Sequence, residues 1–155
     1  MMLAFIELQP DLVRSLFREL FDESRAIENR LESFVFHCDE LLAAYKEQHP
    51  HSIENNHYHG NYEMASLYLA FRYPEQYTLY NFELFRQVLQ RLNAKNIPEV
   101  HDPARYFKVM RTIYKFLQKE DGLLDTHQRR LQRQHFSGES LLLAEEFAQF
   151  LVHES

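Results

Sequence analysis

Apolar positions recur along most of this chain at intervals of three and four, the spacing that lays one hydrophobic stripe along a helix. Pro10 and Asp11 open the first such run, with Leu12, Val13, Leu16, Phe17, Leu20 and Phe21 apolar. Asp22 to Ser24 interrupt it as expected caps, and a second run from Ile27 through Leu31, Phe34 and Leu41 to Tyr45 predicts a helix of about five to six turns, antiparallel to the first. From Glu47 to Gly60 no apolar period survives, which predicts a loop. Asn61 is expected to cap a third helix through Met64, Leu67, Tyr68 and Phe71, which Pro74 must stop. Asn81 is expected to cap a fourth, and Asp102 before Pro103 is a strong start for a fifth that runs to about Lys119. Gly122 ends that helix, a short one is expected over Leu123 to Gln134, and Gly138 precedes a last one through Leu141, Phe147 and Leu151. Tyr77 to Tyr80 is too short to predict a sheet. The expected fold is all-α, a compact helical bundle of about six to seven helices, with residues 1–155 forming a single domain. Phe17, Phe21, Leu31, Phe34, Leu67, Phe71, Phe85, Leu89, Phe116 and Phe147 are the expected core.

Composition agrees with a core-forming chain: 45% of residues are hydrophobic and 14% aromatic. Cys38 is the sole cysteine, so no internal disulfide can form, and its apolar neighbours predict a buried thiol. A reducing cytoplasm is the expected location, with neither a signal peptide nor a membrane span expected.

Charge changes the picture more. The net charge is −6, yet residues 101–138 carry 8 basic and 4 acidic side chains, against 5 and 11 in residues 1–60. Arg105, Lys108, Arg111, Lys115 and Lys119 follow spacings that confine them to about one third of a helix circumference, a single basic stripe that Arg129, Arg130 and Arg133 can extend. Such a stripe suits phosphate, because displaced counterions supply sequence-independent affinity. The competing reading is a solvated face that balances the acidic helices. Tyr58, Tyr73 and Tyr77 belong to a tyrosine-rich stretch and are weaker candidates for stacking on an extruded base. His49, His51, His57 and His59 offer four imidazoles in one polar loop, a weak alternative metal site without cysteine or carboxylate spacing to support it. No GxSxG or GxxxxGK[ST] sequence exists, and three glycines cannot build a phosphate-cradling loop, so no catalytic residue and no cofactor is expected.

The segment Leu67 to Phe85, LYLAFRYPEQYTLYNFELF, with RYPEQYTLY at its centre, resembles N-terminal regions of McrB-like AAA+ ATPases from bacterial modification-dependent restriction and defence systems. FRELFDES at Phe17 to Ser24, a histidine-containing stretch before the third helix, and the closing LLLAEEFAQFLV agree with it, so the resemblance covers most of the chain. It implies a non-catalytic module that selects the target, commonly DNA carrying a modified base, for an AAA+ motor and a partner nuclease. This chain has no Walker motif, so the motor is not within it, and no base-reading residue can be matched position by position. The rival expectation is a protein-interaction module that binds a partner subunit or a phage protein.

Overall fold

A computed structural model describes residues 1–53, 55 and 57–153; Glu54 and Asn56, within the expected loop, lie outside the described residues. Among the described residues there are eight α-helices and no strand, one helix more than the upper expectation. The chain divides into two compact units, Met1–Arg72 and Tyr73–Ser155. No described helix is long and apolar enough to cross a membrane.

The first unit holds α1 (Met2–Leu8), α2 (Pro10–Leu20), α3 (Ile27–Gln48) and α4 (Glu63–Arg72). The additional helix is α1, seven residues that bury only Phe5. Both α1 and α2 lie on α3, and α4 packs against it as well. Leu20 adjoins Arg30 while Phe17 sits edge-on to Phe34, so α2 and α3 run antiparallel, as the short turn predicts. Arg30 is buried and holds that turn. Its guanidinium donates to the Leu20 carbonyl, an orphan acceptor at the end of α2, at 3.0 Å, and pairs with Glu23 at 2.5 Å. Asp22 caps no helix: its carboxylate accepts from the amide and hydroxyl of Ser24 within the turn, and Ala26, at the cap position before α3, supplies no side-chain cap. Those bonds hold the Asp22 carboxyl below its usual range.

In α4 the inward face differs from the expected one. Ala65, Ser66 and Leu69 are buried, whereas Phe71 is 80% exposed. At about 100° per residue the Met64–Leu67–Phe71 arc points away from the Ala65–Leu69 arc. Small side chains allow the backbone of α4 to approach closely, and the Ser66 hydroxyl is satisfied by the Glu63 carbonyl at 2.7 Å. Of the other expected core residues, Leu31, Phe34, Phe85 and Leu89 are buried, Phe17, Phe21, Leu67 and Phe147 are half-buried, and Phe116 is exposed.

The second unit holds α5 (Phe82–Arg91), α6 (Pro103–Leu117), α7 (Leu123–Arg130) and α8 (Leu142–His153), with α8 packed on both α5 and α6. Two expected caps are present: Asn81 accepts from the Leu84 amide at 2.9 Å, and Asp102 from the Arg105 amide at 3.0 Å. The end of α5 is closed by Asn93 at φ 53°, with the Ala94 amide on the Leu89 carbonyl and the Asn93 amide on that of Gln90, a Schellman arrangement. Gly122 takes φ 76°, which lets the chain reverse between α6 and α7. The seventh helix ends at Arg130, short of Gln134, so Arg133 is not helical.

Residues 73–80 have no strand partner, and their polar groups are satisfied one at a time. The Pro74 carbonyl accepts from the Leu141 amide at 2.8 Å, and the Gln76 carbonyl from Arg111 at 3.0 Å. The Leu79 carbonyl accepts from the Tyr106 hydroxyl, Thr78 donates to Glu145, and the Tyr80 hydroxyl receives the Asp102 amide at 3.1 Å. Tyr77 and Tyr80 are buried, each edge-on to an α6 ring, Phe107 and Tyr106 respectively. RYPEQYTLY is therefore the piece to which α6 and the start of α8 are tied.

Candidate functional site

The second unit places α6 with Tyr106, Phe107, Met110, Ile113 and Leu117 inward, so the basic stripe must face out. It is not uniform. Arg105 donates to the Asn96 carbonyl at 2.6 Å, and half-buried Arg111 donates to Gln76, so both guanidinium groups hold backbone. Lys108, Lys115 and Lys119 are exposed and, among the described residues, none is ion-paired. The Lys119 ammonium lies over the Phe116 ring, 5.3 Å from its centroid. Arg129 and Arg133 are exposed and likewise have no ion pair, while Arg130 is paired with Glu146 on α8. Among the described residues five cations are thus without an ion pair.

Charge is divided between the units. Met1–Arg72 carries 6 basic and 12 acidic residues, and Tyr73–Ser155 carries 11 of each. The whole net charge of −6 resides in the first unit, which leaves the lysine face within a neutral one.

Two of the three tyrosine candidates have no face to offer a base. Tyr58 is 3% exposed, edge-on to Phe34, with its hydroxyl 3.0 Å from that of Tyr68, and burial raises its pKa. Tyr77 is 6% exposed beneath Phe107. Tyr73 is half-buried, its ring 6.3 Å from that of Tyr77. The histidines do not converge either. His49 stacks on Tyr45 with centroids 4.1 Å apart, His59 meets Asp39 at 2.9 Å, and His51 and His57 are exposed. Among the described residues no three His, Cys, Asp or Glu side chains gather to hold a metal ion.

Phe116, expected in the core, is 62% exposed. The helical angle explains it: Phe116 falls about 20° from Arg105, beside the basic arc and well away from Tyr106 and Met110. Together with Leu92, also exposed, it opens a groove of about 800 Å³ along α6, lined further by Leu89, Val109, Ile113 and Phe147. Placing Phe116 on a helical wheel is the sequence signal that would have marked this groove. No protein-family model, curated protein or solved structure matches the chain.

Proposed function

We propose that this chain is the non-catalytic target-recognition module of a McrB-like AAA+ restriction or anti-phage defence system, and that it holds DNA by phosphate contacts along the α6 lysine face. The observation that carries this reading is the row Lys108, Lys115 and Lys119, exposed and without ion pairs in a unit whose net charge is zero. An uncompensated cationic row attracts polyanion backbone irrespective of sequence. The motif behind the resemblance, RYPEQYTLY, also builds the unit, since it supplies the acceptors that seat α6. An AAA+ motor and a nuclease are the partners this reading implies.

The test is fluorescence anisotropy on plain and base-modified duplexes across a salt series. Three phosphate contacts contribute about −2.7 to the log–log salt slope, so that raising salt about four-fold costs roughly 40-fold in affinity. Replacing Lys108, Lys115 and Lys119 by Gln should remove that part of the slope while melting stays unchanged. No binding to any duplex at low salt overturns the reading in favour of a protein-interaction module, a second reading that the open Leu92 and Phe116 side chains favour.

A further inference from the structure

We propose that the groove along α6 in the second unit is a docking site for an acidic amphipathic helix of a protein partner. Its floor is apolar. Leu89 and Ile113 belong to the buried core, and the Schellman turn after α5 fixes Leu92 and Ala94 at one wall. Leu92 and Phe116, 51% and 62% exposed, stand open on adjacent elements of that groove, and contiguous apolar surface of this kind marks an interaction site.

Charge selects the occupant. Arg105 and Lys108 form the α6 edge of the groove, and among the described residues Glu120 is its one acidic lining residue. Lys108 has no ion pair, and Arg105 uses one donor on Asn96 while a guanidinium has five. A ligand that satisfies both floor and edge has an apolar stripe flanked by carboxylates. From Arg105 to Leu117 the edge runs about 18 Å, or roughly three turns of a docked helix, enough for apolar anchors at i, i+3 or i+4, and i+7. A duplex supplies anions to Lys108 but nothing apolar to Leu92 and Phe116. Docking here is separable from DNA binding: Lys108 is shared with the proposed phosphate row, but Lys115 of that row does not line the groove.

The test uses the full chain and two synthetic peptides of about four turns, one with Leu at the anchor positions and Glu elsewhere, the other with Lys replacing Glu. The acidic peptide should bind at least ~10-fold more tightly, because like charges oppose the twin at the groove edge. Amide NMR shifts should centre on Val109, Thr112 and Phe116. Phe116→Ser should weaken binding by ~10-fold or more, and Lys108→Glu should invert the peptide preference. If Phe116→Ser does not fold, Leu92→Ser makes the same measurement from the other wall. Lys115→Gln should leave peptide binding intact even where it weakens DNA binding, which separates this inference from the proposed function. Equal binding of the two peptides, binding of neither, or shifts remote from Phe116 would overturn it. So would self-association that Phe116→Ser abolishes, which makes the occupant a second copy, or loss of duplex binding in Phe116→Ser, which assigns the groove to nucleic acid.

Discussion

Arg111 and Lys115 sit one turn apart on the same basic stripe, and the structure assigns them opposite consequences. The Arg111 guanidinium is half-buried and donates at 3.0 Å to the Gln76 carbonyl, inside the segment that seats α6; the Lys115 ammonium meets no carboxylate. Arg111→Gln shortens the side chain and leaves that carbonyl without its charged donor. Hydrogen bonds to charged groups contribute about 1.5–3 kcal/mol, and partial exposure of Arg111 puts its loss at the lower end, about 1.5 kcal/mol. For a chain of this size each kcal/mol lowers Tm by about 2–4 °C, so the expected drop is about 3–6 °C. Lys115→Gln changes an exposed side chain and should stay within about 0.5 kcal/mol of the parent. Thermal unfolding followed by far-UV circular dichroism, with both variants and the parent in one buffer, reads the difference. Equal melting of Arg111→Gln and the parent would refute the division of the stripe into residues that hold the fold and residues that face a ligand, and so would a Lys115→Gln variant as unstable as Arg111→Gln.

Two further outcomes follow from buried groups. Tyr77→Ala removes a ring packed edge-on against Phe107 and should cost about 3–5 kcal/mol by denaturant titration, with an unchanged midpoint counting against a structural role for RYPEQY. Cys38 is buried, and desolvation pushes its thiol from 9.0 up to about 12. Because the folded value is raised, the thiol's contribution is complete below about 9 and declines as pH climbs toward about 12, where the unfolded chain releases the proton first. Stability of the parent should therefore fall more steeply over that interval than that of Cys38→Ala, and identical slopes would show that the thiol is not desolvated.

Most helices were legible because their signals are local. Asn81 and Asp102 each pair a capping oxygen with the start of an apolar period, and both caps form. Met2–Leu8 carries no such signal: seven residues are too few for a period, and the helix forms by packing on α2 and α3. Phe71 and Phe116 misled for a shared reason. A large apolar side chain raises the expectation of burial, but each lies off the arc that its helix turns inward, Ala65–Leu69 in α4 and Tyr106–Met110 in α6. The basic stripe was visible as a pattern, yet its division was not. That Arg105 and Arg111 would be drawn to Asn96 and Gln76 depends on where two irregular segments pass, and irregular backbone leaves no period to read.

The ties that converge on residues 73–80 also order events in time. Thr78 and Glu145 are 67 residues apart, whereas Leu20 and Arg30 in the first unit are 10 apart. Closing the longer loop costs about 1.7 kcal/mol more in chain entropy, and it cannot begin until the sequence of α8 has left the ribosome. The first unit needs no residue beyond Arg72 for the contacts within it and can settle while the second is still being made. Until α8 arrives, the faces of α5 and α6 that pack against it stay uncovered, and Pro74 and Thr78 lack their partners Leu141 and Glu145. A ribosome stalled before Leu141 should therefore display a protease-resistant N-terminal half followed by a cleavable α5–α6 region, and release of the last helix should convert the latter in a single step.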